Sequence, residues 1–301
     1  MSAETEFLHA IEAAGLVAPD TIEADGKLHR FSATGKRGDD AGWYVLHLDG
    51  VPAGCFGDWR SREPQRWCAK SDVDMTPAER SALRERVKAA QRAREAETTQ
   101  RRAEAAAMAQ AAWEAAMPAI ADPYLTAKNV RAFGVRMSGA ILLVPLRDTA
   151  GKLHGLQSIA PDGTKRFLPG SRVKGCYHAI GRPSGSLIVC EGLATGATIH
   201  EATKDAVAVA FNAGNLEPVA KALRAKYPCL AIVIAADDDW KTEGNPGLAH
   251  AKAAAAAIGG KLAVPNFNGL QRGDRDTDFN DLARLADKAE AVPHLSAGAI
   301  R

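Results

Sequence analysis

From Ser186 onward the chain alternates short apolar strands with helices. SLIVCEG is followed by a helix around Ala194–Ala202, and AVAVAF by a helix from about Leu216 to Lys226. LAIVIAAD precedes a helix around Pro246–Ile258, KLAVPNF offers a fourth strand, and DFNDLARLAD opens a last helix. Strands that are apolar on successive residues must be covered on both faces. Alternation with helices supplies that cover, so a parallel sheet with right-handed crossovers is expected over residues 186–301.

The residues upstream obey other patterns. Residues 119–185 carry strand signals in AILLVPLRD, LHGLQSIAP and TKRFLPG, with turns at Asp148–Gly151 and Asp162–Gly163, and predict a basic, mostly β segment. Residues 76–118 turn to Ala, Glu, Arg and Gln, with Pro77 beside a Thr76 cap, and predict one long connecting helix that Pro118 and Pro123 end. Residues 1–75 begin with a short helix, TEFLHAIEAAGL. WYVLHLDG and PAGCFGDW then read as two strands joined at Asp49-Gly50. Trp43, Trp59 and Trp67 are expected to form the core of this small β module, the alternative being a surface on which bases stack. The fold class is therefore α/β in its C-terminal part and α+β overall.

Charge is distributed unevenly. The net charge is +2, yet residues 119–185 hold ten Lys/Arg against three Asp/Glu, and residues 186–301 hold twelve against fourteen. A basic block beside an acidic one suits a polyanionic partner. The five cysteines, Cys55, Cys68, Cys176, Cys190 and Cys229, include no CxxC pair, so no zinc is expected, and their scatter suits a reducing cytoplasm. No apolar signal region and no 18-residue apolar run is present, so no membrane partner is expected.

The strongest chemical signal is acidic. Ligands of parallel sheets collect at the C-terminal strand ends. Glu191 follows one strand, and Asp237, Asp238 and Asp239 follow another. Asp278 and Asp281 lie at the start of the last helix. In extended backbone Asp237 and Asp239 face the same way and Asp238 the other, so Asp238 is expected to be solvated or capping. Clustered carboxylates raise one another's pKa unless a cation neutralises them, and oxygen-only ligands indicate Mg2+ or Mn2+. Asp278 also fits an N-cap in DFNDLARL.

A Glu-Gly after an apolar strand, then a second strand ending in Asp-x-Asp, resembles the Toprim domain of bacterial-type primases, topoisomerases and some nucleases. Further pieces are similar to primases: DPYLTAKNVRAFGVR, ILLVPLRDTAGKLHGLQ, TKRFLPG and VKGCYHAIG, in order over about residues 119–290. NPGLAHA and DFNDL resemble the plasmid and phage branch, including conjugative-plasmid relatives.

The resemblance implies template-directed primer synthesis on single-stranded DNA from nucleoside triphosphates. It places metal ligands at Glu191, Asp237 and Asp239, with Asp278 a further acidic position. It places nucleic-acid and nucleotide contacts at Arg147, Lys165, Arg166, Arg172 and Lys174. A replicative helicase acting in trans is a partner it allows, since no Walker A motif is present. The zinc ribbon that often begins such proteins is missing from the first 75 residues. Three rivals stand beside this reading: a Toprim nuclease, a topoisomerase, and a non-catalytic module that binds single strands or loads a helicase. Topoisomerase is disfavoured because no separate domain remains to carry a nucleophilic tyrosine.

Overall fold

The computed structural model describes residues 1–60, 64–71 and 74–286. The chain divides into two compact units, Met1–Glu97 and Thr98–Arg301.

The first unit contains helix α1 (Ala3–Ala13) and four antiparallel strands in sequential order: β1 (His29–Phe31), β2 (Gly42–His47), β3 (Ala53–Asp58) and β4 (Gln65–Cys68). Ser2 caps α1 by accepting the Thr5 N–H. Phe7 and Ile11 from α1 pack on Phe31, Tyr44, Leu46 and Phe56. Strand alternation puts these sheet residues on one face. Of the three tryptophans, only Trp67 packs against this core. Trp43 and Trp59 pair elsewhere, and Trp59 is exposed. The expectation of a three-tryptophan core is thus corrected: the phenylalanines and Tyr44 fill the space instead.

Helix α2 (Pro77–Ala115) is the long helix expected from composition. It opens on a reciprocal cap, in which the Glu79 N–H bonds the Thr76 hydroxyl while the Thr76 N–H bonds the Glu79 carboxylate at 2.9 Å. Gln–Glu pairs four apart, Gln91–Glu95 and Gln100–Glu104, support its exposed face.

The second unit holds two five-stranded sheets. The first is antiparallel, in the order β5 (Met117–Pro118), β6 (Arg136–Ser138), β7 (Ile141–Arg147), β8 (Leu153–Ile159) and β9 (Lys165–Phe167). Helix α3 (Pro123–Ala127) lies between β5 and β6 in sequence and starts on Asp122, whose side chain accepts the Leu125 N–H. Ala109 and Ala116 close one face of this sheet over Leu143, Leu153 and Leu156. Ala105 and Ala109 are the buried residues of α2, so its C-terminal part packs closely through alanine, with Ala116 just beyond the helix.

The second sheet has the order β10-β12-β11-β13-β14, formed by β10 (His178–Ile180), β11 (Ser186–Cys190), β12 (Ala206–Val209), β13 (Ala231–Ala235) and β14 (Lys261–Ala263). Only β10 runs antiparallel to its neighbour. Helices α4 (Leu193–Thr203), α5 (Leu216–Lys226), α6 (Pro246–Ile258) and α7 (Phe279–Leu285) flank it. Ile188, Cys190, Val207 and Val233 face a core shared with the antiparallel sheet, α4 and α7. Leu187, Val189, Ile232 and Ile234 face a core with Leu216, Val219, Leu223 and Ala251 of α5 and α6. Cover on both faces explains the uninterrupted apolar runs. The chain leaves β11 for β12 on one side and then crosses to β13 on the other. The carboxyl ends of β11 and β13 thus flank a switch point, where α/β sheets form a crevice. Among the described residues no helix is long and apolar enough to cross a membrane.

Candidate functional site

Five carboxylates converge at this switch point. Glu191 follows β11 directly, and Asp237 lies two residues beyond β13. Glu191 is raised above the usual carboxylate range by burial and by the nearby Asp239, while Lys165 and the Ala213 N–H pull it back. Asp237 is pushed up to about 8, first by burial, then by Asp278, Glu191, Asp239 and Asp281. Its Oδ1 is buried with no hydrogen-bond donor. An orphaned acceptor among like charges is a costly arrangement that a cation would offset.

The other aspartates are held by backbone. Asp239 Oδ2 accepts the Gly247 N–H at 2.9 Å, in the first turn of α6. Gly247 has to be glycine here, because a Cβ would lie 2.7 Å from the Asp237 carbonyl and 2.8 Å from the Asp239 carboxylate. Asp278 caps α7: its Oδ1 accepts the Asp281 N–H at 2.9 Å, and its Oδ2 accepts the buried Thr195 hydroxyl at 2.7 Å. Asp281 completes a capping box and is itself raised, by burial and then by Asp278. Asp278 thus combines the cap with proximity to Asp237 and Glu191.

Asp238 departs from expectation. It is neither solvated nor a helix cap. Its Oδ2 pairs with Arg272 at 2.8 Å and its Oδ1 accepts Asn245 Nδ2 at 2.7 Å. Arg272 also donates to the Asp238 carbonyl and stacks on Phe267 and Trp240. Strand alternation turns Asp238 outward, but a cation from the loop before α7 meets it there.

The donor set suits a hard divalent cation: all-oxygen, anionic, and short of hydrogen-bond donors at Asp237. The acids are more open than a closed three-ligand cage. Among the described residues, ligand atoms from three groups come within 4.8 Å of one another at Glu23, Asp25 and His29 and not here. An open acidic site is the kind Mg2+ occupies while keeping several waters.

The basic residues separate into two groups. Lys165 on β9 lies 5.5 Å from the Tyr124 ring centroid and close enough to Glu191 to lower it. Arg166 and Lys174 are exposed. Arg147 and Arg172 are engaged structurally. Arg147 donates to the Gly151 carbonyl at 2.9 Å and rests on Trp113, and Arg172 bonds Cys176 Sγ and Asp148. A cavity of about 690 Å³ opens beside Lys165, lined also by Tyr124, Lys128, Asp162, Asn280 and Arg284. Lys128, Tyr124 and Thr195 escaped the reading of the sequence. The segment DPYLTAKNVRAFGVR resembles a primase element as a whole, but nothing local marks which of its side chains turn toward α7.

Residues 186–289 match the Toprim domain family. The match takes in the parallel sheet from β11 onward and all five carboxylates. Two Escherichia coli proteins, both DNA primase TraC, are 38% identical to the chain, one over 282 residues and one over 291. The alignments take in 88% and 89% of this chain but 26% and 20% of those proteins. The chain thus spans about a quarter or less of the length of the relatives it matches, and the similarity runs well beyond the Toprim domain. The primase fragment of the bacteriophage T7 primase-helicase is 13% identical, with a TM-score of 0.36 over 56% of this chain and 66% of that one.

Proposed function

We propose that the chain carries the nucleotidyl-transfer centre of a DNA primase, which makes short primers on single-stranded DNA from nucleoside triphosphates. One observation carries the reading: Glu191, Asp237, Asp239 and Asp278 gather at the switch point, with the buried Asp237 Oδ1 lacking any donor. The similarity to the TraC primases supports the choice of primase over nuclease. Glu191, Asp237 and Asp239 would hold Mg2+ or Mn2+, with Asp278 adjoining. Bound there, the metal supplies charge neutralisation at the polyphosphate and at the attacking 3′-hydroxyl.

The chain's own groups do the rest. Gly247 and Thr195 fix the Asp239 and Asp278 carboxylates in place. Lys165 stands beside Glu191, where it offers a positive charge to a phosphate. Arg166 and Lys174 extend exposed positive charge along the same basic segment for the template backbone. In this reading residues 119–185 supply basic contacts and residues 186–301 the acids. A replicative helicase in trans fits as a partner, and the free thiols of all five cysteines suit the cytoplasm.

The test is nucleotide incorporation on single-stranded DNA with Glu191→Gln. The change is nearly isosteric and removes one charge. Synthesis should vanish while melting temperature and single-strand binding hold. Fragments of the template instead of new oligomers would identify a nuclease, and neither product from the wild type would leave a binding module.

A further inference from the structure

The sheet of the first unit has a second face that its core does not use. Pairing places Arg30 on β1, Trp43 on β2 and Gly57 on β3 in one row across the sheet. Trp59 follows two residues beyond Gly57. The glycine makes the row flat. A Cβ at position 57 would lie 3.2–3.3 Å from the Trp43 indole, so Trp43 lies across the bare backbone. The two indoles meet at 5.5 Å between centroids and 33° between planes. The Arg30 guanidinium sits 5.8 Å from the Trp59 centroid. Trp59 is 56% exposed.

Charge on this face is unbalanced. Arg66 is paired with Cys55 across β3–β4, which puts it on the same side as Trp43. Arg60 is matched by Asp58 and Asp39. Trp43 and Trp59 lie outside the core on α1, where Phe7, Tyr44, Phe56 and Trp67 pack on the opposite face. Val45 is buried at the centre of this face, so the open part is its edge: the exposed Trp59 indole resting on the half-buried Trp43. Arg30, whose Nε donates to the Asp40 carbonyl at 2.9 Å, and the exposed Arg66 flank it without a carboxylate partner among the described residues. An exposed indole beside such guanidiniums matches the π-face and phosphates of an unpaired strand.

We propose that this face binds single-stranded nucleic acid, with Trp43 and Trp59 as the stacking platform and Arg30 and Arg66 as phosphate contacts. The site belongs to the first unit and does not depend on the acidic centre.

The test uses the full chain in EDTA, which removes any contribution from metal-dependent chemistry, with a fluorescent oligothymidylate and anisotropy as readout. Trp59→Ala should weaken binding about 5- to 20-fold, in line with one lost base–aromatic stack. Trp59→Phe, which keeps a ring, should recover most of it. Arg30→Ala with Arg66→Ala should lower the salt slope by roughly one to two. Melting temperatures should hold, because Trp59 is largely exposed. Unchanged affinity in Trp59→Ala, an equal loss in Trp59→Phe, or equal binding of duplex would overturn the proposal. So would a Trp43→Ala, Trp59→Ala double variant that alters only self-association. Failure of Glu191→Gln to abolish synthesis would count against the catalytic reading alone, since this assay contains no metal.

Discussion

Replacing Asp237 with Asn should stabilise the metal-free protein. In the folded chain Asp237 is pushed up to about 8 from an ordinary 3.8, chiefly by burial, with four acids adding to it. A folded pKa above the unfolded one means that the folded state holds the proton more tightly. Stability is then fullest below pH 3.8 and declines as pH rises toward 8. At pH 7 the loss amounts to about three pH units, or about 4 kcal/mol as an upper figure at 1.36 kcal/mol per unit. Relaxation around the site reduces this, so roughly 2–4 kcal/mol is expected back in Asp237→Asn, on the order of 5–10 °C in melting temperature for a unit of this size. The assay is thermal unfolding at pH 5, 7 and 8, with EDTA and with Mg2+. The variant should melt above wild type in EDTA, by more at pH 8 than at pH 5. Mg2+ should raise wild type and move the variant little, since a ligand has gone. A variant that melts below wild type at pH 8, with an undiminished response to Mg2+, would refute both the burial argument and the ligand assignment.

Asp238→Asn should behave in the opposite way: it strands Arg272, costs about 1–3 kcal/mol in chemical denaturation, and leaves synthesis per folded molecule largely intact. Lys165→Ala with Arg166→Ala should lower the salt slope of single-strand binding by roughly one to two, measured by titration at several salt concentrations. Within the pair, Lys165 alone should dominate the loss of synthesis, because it stands beside Glu191. The buried His178 donates to the Phe133 carbonyl, and burial depresses it from 6.5 to about 4. Its contribution is whole above pH 6.5 and is lost as pH falls toward 4, about 3 kcal/mol in all, so His178→Gln should flatten the acid limb of stability against pH.

The parallel sheet was legible because burial on both faces leaves an unbroken apolar signature. The α5 and α6 boundaries, Leu216–Lys226 and Pro246–Ile258, coincide with those read from the sequence. The Asp278 cap was legible too, since capping depends on neighbours three residues apart. What escaped was long-range. The partner of Asp238 is Arg272, 34 positions away, and that of Asp278 is Thr195, 83 positions away. Arg147 rests on Trp113, which local pattern assigns only to a charged helix. In the first unit, WYVLH is apolar on consecutive residues, so alternation alone cannot say whether Trp43 or Tyr44 faces α1. The pairing of Tyr44 with Phe56 decides it in favour of Tyr44.

Three consecutive carboxylates are tolerated because the fold separates their electrostatics. Asp238 is answered by a guanidinium held between Phe267 and Trp240. Asp239 lies on the N-terminal turn of α6, where backbone N–H groups and the helix dipole favour negative charge. Asp237 receives neither and is buried with Glu191, Asp278 and Asp281 close by. Packing could have removed that penalty: an Asn or Ser there would close the same core. A chain that neutralises two of three adjacent acids by separate devices and leaves the third exposed to its like charges has concentrated its instability at one point, and perturbed carboxylates so placed are where function concentrates. On the proposed reading the compensation comes from the cation, so stability and activity of this centre should rise together as Mg2+ is added.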